Sequence, residues 1–588
     1  MRKGLNTAAL LALISIISLS CQKPETPPDS TSSQETTQPT EPPKPQPAPG
    51  KYVLPLIETT DIHGHIVDTD ESGTVLYRLA YVADKADDMR GHGDARKKDR
   101  LLLLDGGDLY QGASVSNLLS GWPLFVAIDQ MGYDAVALGN HEFDWGIENT
   151  VDSDATLPDY EWNSLPYENK VPVLCANLYK DGQRVSFTSD YTIVEKSALA
   201  QNGDEIPVKI GIVGFAVNYA SSIMSSQFTG KGFSIRADYS IVNTIAQELE
   251  TNHGCHATIL LTHGQAQSAA ESLGSSSPID LVLGGHSHGV FNDKTSWGLP
   301  YLQGGCYCTH YAAATLRFIL DEKGNISFAG IGNMAVPSVN AASSTATSEN
   351  ADDLSEEILA VSDAALEATA QQQKEVLGYI KVGATTSYLQ GSGQRAATMS
   401  NWMCDLIRRI GHADVAFVNS GGIRTSFPLN GQSRRDITVA NVYEMFPFNN
   451  HVYVYSLTYE ELLQVFQYAL TSGGSALFSR MTGLDCYFSS GVVIKLIKDG
   501  TTIYHSGVWT SDWSSRSVTM AVSDYVATTE RTDYYTGMPN PLIEWNQTSR
   551  LIESNAIDNE SAVAVLREES AASGGHLYID TSPHFIQQ

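Results

Sequence analysis

Positive charge is scarce in this chain. Its 588 residues carry 37 Lys and Arg against 66 Asp and Glu, a formal net charge of −29. Nothing on that scale would neutralise the phosphates of a nucleic-acid polymer, so such a partner is excluded. A small anion remains admissible where local cations or metals oppose the global field. Cysteine is scarce too, with seven residues. Setting Cys21 aside, Cys175, Cys255, Cys306, Cys308, Cys404 and Cys486 form no zinc-knuckle spacing. An exported chain could pair them, but the sequence does not say how. Beyond the first 20 residues there is no long apolar run, so no spanning helix is expected in the body.

The short apolar stretch that does exist is a targeting signal. Arg2 and Lys3 precede Leu10–Leu19, and the stretch ends Ser18-Leu19-Ser20-Cys21. That pattern predicts a signal peptide over 1–20 and a bacterial lipoprotein cleavage site with Cys21 lipidated. The mature body would then be exported and held at a membrane, periplasmic or at the cell surface. Residues 21–50 are rich in Pro, Thr, Ser, Gln and Glu and read as a disordered tether.

A chain this long exceeds one hydrophobic core, so two or more domains are expected. In the first, short apolar runs recur, each followed by polar residues that bind metals well. Tyr52–Ile57 leads to Asp61 and His63; Arg100–Leu104 leads to Asp108. Val136–Leu138 leads to Asn140 and His141; Ala257–Thr262 leads to His263; Ile279–Leu283 leads to His286 and His288. A lone Asp-x-His is also an ordinary strand-end turn. Five strand ends carrying such residues form a pattern, because sites in α/β sheets lie beyond the carboxyl ends of strands. Asp144 lies three residues past His141, close enough to orient its imidazole. A metal centre beside a His–Asp pair suits hydrolysis of a phosphate ester.

In order, Asp-x-His, Gly-Asp, Gly-Asn-His-Glu, a lone His and Gly-His-x-His resemble the calcineurin-like metallophosphoesterases. The flanking Asn140–Asp144, Val171–Asn177 and Gly284–His288 are similar to the bacterial 5′-nucleotidase / UDP-sugar hydrolase family. The resemblance implies an α/β fold: a four-layer α/β/β/α domain followed by a smaller α/β recognition domain. It implies one divalent metal on Asp61, His63, Asp108 and His288, and another on Asp108, Asn140, His263 and His286. Zinc, manganese, iron or cobalt would suit these ligands. His141 and Asp144 would be the catalytic pair.

A Ser/Thr/Ala-rich stretch over 336–350 and a long helix over 352–372 suggest domains at 51–350 and 376–588, with residues 351–375 as a linking helix. Beyond it, Asn419-Ser420-Gly421-Gly422-Ile423-Arg424 and Pro447-Phe448-Asn449-Asn450 resemble the family's substrate-recognition motifs. The resemblance implies that Arg424 grips phosphate with Asn419 and Gly422 beside it, and that Phe448 and Asn450 hold a base. Arg395 would be a second phosphate contact, and Tyr525 the second face of the base clamp. Thr528–Tyr535 lacks the glycines found there in relatives, which leaves the pocket's shape open.

The expected activity is release of phosphate from nucleoside 5′-monophosphates. Nucleotide sugars, cyclic nucleotides or other phosphate esters are the alternative substrates, and a sulfur-compound hydrolase on the same domains is a further one. A surface binding protein with a structural metal site is a reading of another class. The His141–Asp144 pair argues against it, since a structural site has no use for a dyad.

Overall fold

The computed structural model describes residues 46–69, 74–91, 97–147, 171–217, 228, 231–339, 354–385, 398–546 and 548–588. The Leu10–Leu19 run, Cys21 and Arg395 lie outside the described residues. Among those described, no helix is long and apolar enough to cross a membrane. The six cysteines from Cys175 to Cys486 are free thiols.

Twelve strands organise the N-terminal part. They are β1 (Gly50–Thr59), β2 (Leu102–Asp105), β3 (Ala135–Ala137), β4 (Val173–Leu174), β5 (Tyr191–Leu199) and β6 (Glu205–Ala216). The others are β7 (Ala257–His263), β8 (Leu281–Leu283), β9 (Val290–Lys294), β10 (Pro300–Gly304), β11 (Ala312–Leu320) and β12 (Ile326–Ala335). They form two leaves. The first runs β4-β3-β2-β1-β11-β12 and the second β5-β6-β7-β8-β10-β9. Among the described residues, the ladder joins the two leaves only where Val53 pairs with Leu199.

Side-chain alternation shows how the leaves stack. A strand's successive side chains point to opposite faces. Leu102 and Leu104 of the first leaf share one apolar cluster with Ile210, Ile212, Ile259 and Leu261 of the second. Leu101 and Leu103 instead pack under α1 (Arg78–Arg90), α2 (Trp122–Met131) and α5 (Glu356–Lys374). Val213, Phe215, Leu260 and Val282 pack under α3 (Ser240–Thr251) and α4 (Ala266–Leu273). The result is four layers: helices, leaf, leaf, helices. Each fully buried Leu or Ile contributes roughly 1.5–3 kcal/mol, so both faces of each leaf hold the stack together.

The sequence has helical periodicity over 75–89, but the helix begins later, at Arg78, because Val75 and Leu76 pair with Thr69 and Asp68 as a short ladder. Glu356–Lys374 is helical as expected, and its Ile358, Val361 and Ala365 pack into the N-terminal core.

The C-terminal part is also mixed α/β. Val415–Val418 lies within a five-stranded sheet with Arg480–Thr482, Ser517–Ser523, His451–Thr458 and Leu551–Ile557. The helix Thr398–Ile410 covers one face through Trp402, Leu406 and Ile410. A second five-stranded sheet ends with Phe585–Gln587.

Candidate active site

β1, β2 and β3 run parallel to one another, as do β6, β7 and β8. Their carboxyl ends meet, and there the predicted ligands gather. Five of those ligands have left-handed backbones: Asp61 (φ 51°), His63 (50°), Asp108 (59°), His286 (69°) and His288 (55°). Each such non-glycine residue costs roughly 1–3 kcal/mol, and such strain clusters at functional sites.

Two donor sets result. His63 Nε2 lies 3.1 Å from His288 Nε2 and 3.7 Å from Asp108 Oδ2, and His288 Nε2 lies 3.6 Å from Asp61 Oδ1. The second set joins Asp108 Oδ2 to His263 Nε2 (2.9 Å), His263 Nε2 to Asn140 Oδ1 (3.2 Å), and Asn140 Oδ1 to His286 Nδ1 (2.8 Å). Atoms bound tetrahedrally at about 2.1 Å lie roughly 3.4 Å apart, so both sets fit a transition-metal ion. Asp108 Oδ2 belongs to both. His63 Nδ1–H donates to the Gln111 carbonyl (2.9 Å) and His263 Nδ1–H to that of Gly106 (2.7 Å), which leaves both Nε2 lone pairs for a metal. Burial, with the neighbouring His263, pushes the His286 pKa down to about 4. Burial and Arg424 do the same for His288, to about 4. Both rings are therefore neutral near pH 7, as ligands must be.

The loops that carry these residues are drawn together by one carboxylate. Glu142 Oε2 accepts from Gly139 N (2.7 Å) and Asp108 N (3.1 Å), and Oε1 from Leu109 N (2.8 Å). The approach leaves no room for a side chain at residue 139, where a Cβ would lie 2.2 Å from Asp108 Oδ1. Asp105 plays a structural part, accepting from Thr59 Oγ1 and Gly107 N.

His141 Nδ1–H donates to Asp144 Oδ2 at 2.6 Å, so Nε2 is the nitrogen left over. Burial disfavours the imidazolium, but Asp144 and Asp108 outweigh it and raise the pKa above its ordinary value. The main chain of His141 is held as well, its N–H donating to Asp108 Oδ1 (2.8 Å).

The residues predicted to recognise substrate lie beside these donor sets. A cleft of about 380 Å³ is lined by Asp108, Asn140, His141, Asp144, His286 and His288 together with Asn419, Gly422, Arg424, Phe448, Asn450 and Tyr525. Phe448 stacks on His141, with ring centroids 5.2 Å apart and planes 20° apart, and the Arg424 guanidinium sits 5.1 Å from the Phe448 centroid. Asn450 gives an amide hydrogen to Asp558 Oδ2 (3.0 Å). Every predicted site residue within the described residues is thus brought to one place, and the neighbouring Phe446 is buried in the core. His65, given no role from the sequence, donates from Nδ1 to Asp68, and its ring lies against Tyr307.

Residues 376–494 match the model of the 5′-nucleotidase C-terminal domain. Over most of its length the chain is similar to 5′-nucleotidases. Among 5′-nucleotidases, the snake venom enzyme of Crotalus adamanteus is 24% identical over 469 residues, 73% of this chain and 72% of that one. The Homo sapiens 5′-nucleotidase is 24% identical over 472 residues, 73% of this chain and 74% of that one. The crystal structure of a 5′-nucleotidase precursor from Thermus thermophilus shares the two-domain fold. Its TM-score is 0.62 at 18% identity, covering 91% of this chain and 99% of that one.

Three residues at the site escaped the sequence reading. Ser287 and Gly421 line the cleft. Tyr307 stands 5.7 Å from the His63 ring and 5.3 Å from that of His288, and its N–H donates to the Asp61 carbonyl. In the sequence only its place between two cysteines, Cys306-Tyr307-Cys308, sets it apart.

Proposed function

We propose that this metal-dependent phosphate-ester hydrolase releases phosphate from nucleoside 5′-monophosphates outside the cytoplasm. The observation that carries the reading is the shared cleft: metal-binding groups, His141, Arg424 and the Phe448–Tyr525 pair all face it.

Asp61, His63, Asp108 and His288 would hold one divalent cation, and Asp108, Asn140, His263 and His286 the other; zinc, manganese, iron and cobalt suit the donors. When bound, such ions supply positive charge to the phosphoryl oxygens. The chain's own residues do the rest. Arg424 offers a planar fork to phosphate, with the glycine turn Gly421–Gly422 beside it. Phe448 and Tyr525 supply aromatic faces for a base, and Asn450 an amide for its edge. His141, tied through Nδ1 to Asp144, holds a proton on Nε2 and delivers it to the departing ribose oxygen. Export and anchoring through Cys21 rest on the Leu10–Leu19 run and the Ser18–Cys21 pattern, with residues 21–50 as the tether. The division into domains at 51–350 and 376–588 belongs to the same reading.

Phosphate release by the metal-loaded protein tests it, across nucleoside monophosphates, cyclic nucleotides, a nucleotide sugar and an aryl phosphate. Preference for the monophosphates, with a loss of at least about 100-fold in His141→Ala, is expected. Turnover of the aryl ester alone would defeat the nucleotide assignment, and full activity in His141→Ala would defeat the dyad.

A further inference from the structure

Between the metal centre and the recognition loop lies a set of hydrogen bonds with no part in metal binding. The Pro447 carbonyl accepts from Gln111 Nε2 at 2.6 Å and from Asn117 Nδ2 at 3.0 Å. Both donors are buried, Gln111 at 1% and Asn117 at 8% exposure. They belong to the N-terminal part, 330 or more residues earlier in the chain. Proline has no N–H, so this carbonyl is its one backbone hydrogen-bonding group. A carbonyl has two lone pairs, and two amides take them. On either side the loop is held from within its own part. The Phe446 carbonyl accepts from Asn559 Nδ2 at 3.0 Å, and the Asn450 carbonyl accepts from Asp558 N at 2.9 Å. Phe448 is therefore the aromatic residue of a loop fastened from two directions.

Gln111 also touches the metal centre. Its carbonyl is the acceptor for His63 Nδ1–H at 2.9 Å, while its side chain grips Pro447. Asn117 fixes the same turn, accepting from Gly112 N at 2.9 Å through Oδ1. The height of Phe448 over His141 is thus set by the residue that orients His63, a predicted metal ligand.

We infer that Gln111 and Asn117 are positioning residues for substrate selection: by clamping the Pro447 carbonyl they register the Phe448 base platform against the metal centre. The role in selection rests on the nucleotidase reading, whereas the clamp itself does not. Without the clamp, the loop keeps its Asn559 and Asp558 anchors but loses its tie to the centre. A substrate that needs the platform suffers, and a small aryl ester suffers less.

Gln111→Met keeps side-chain length and the backbone carbonyl but removes the donor; Asn117→Ala removes the second. Both variants would be compared with wild type as full-length, metal-loaded protein. Three quantities are read: metal content, amide hydrogen exchange over Phe448–His451, and the ratio of kcat/KM for a nucleoside monophosphate to that for an aryl phosphate. The expected result in Gln111→Met is two metals bound, faster exchange in the loop, and a ratio lowered about tenfold, chiefly through KM. Exchange and ratio at wild-type values in both variants would overturn the inference. So would metal loss in Gln111→Met, since the side chain would then act through His63 and not through the loop. If wild type shows no preference for nucleotides, the nucleotidase reading falls, and loop exchange alone decides whether the clamp exists.

Discussion

Single residues here are set by what surrounds them more than by their type. Asp280 is an instance away from the cleft. Burial and nearby Glu250 push its carboxyl up to about 6, although its Oδ2 accepts from Thr258 N at 2.8 Å. The unfolded chain gives up this proton first, near the ordinary value of about 4, so stability falls as pH rises from there towards 6. Two units correspond to at most about 3 kcal/mol, reached above pH 6. Asn keeps an acceptor for Thr258 without the charge. Asp280→Asn is therefore expected to stabilise the protein by about 1–2 kcal/mol at pH 8 and not at pH 4. Denaturant unfolding at both values checks this, and an equal gain at both would defeat it. At this scale the sequence was legible where residue type and spacing decided the contact, as in the hydrogen bond from His141 to Asp144. It was not legible for Gln111, whose carbonyl orients His63: any residue has a carbonyl.

Elements explain why the ligands converge. The strand ends were readable as apolar runs followed by Asp, Asn or His. What the runs could not show was the contact between turns, since Glu142 and Gly139 meet Asp108 across about thirty residues of chain. A methyl at residue 139 would sit 2.2 Å from Asp108 Oδ1 and 2.6 Å from Glu142 Oε2. Gly139→Ala must therefore displace the carboxylate shared by both donor sets. Metal binding weaker by on the order of 10–100-fold is expected, read as metal content after dialysis against a chelator. Retention equal to wild type would show that the turn absorbs the methyl. The start of α1 at Arg78 makes a related point. Helical periodicity ran back to Val75, but pairing with Asp68 and Thr69 took those residues into a ladder.

For the whole molecule, the fold class was legible through resemblance, but the division into leaves was not. Leu101–Leu104 is apolar on both faces, so alternation could not say which side met helices and which met the second leaf. At the same scale, ions that bind only the folded state stabilise it by mass action. Stripping the divalent ions with a chelator is expected to lower Tm by roughly 5 °C or more, and manganese or zinc should restore it. An unchanged Tm would mean that the donor sets do not hold ions tightly.

Asp61, His63, Asp108 and Asn140 follow strands of one leaf, whereas His263, His286 and His288 come from strands of the other. Among the described residues, the ladder bridges the seam between the leaves at Val53 and Leu199 alone. Each predicted ion would take ligands from both sides of that seam. In mechanical terms it is a rivet, and the same two ions that serve the phosphate would decide how far the open edge of the sandwich can gape.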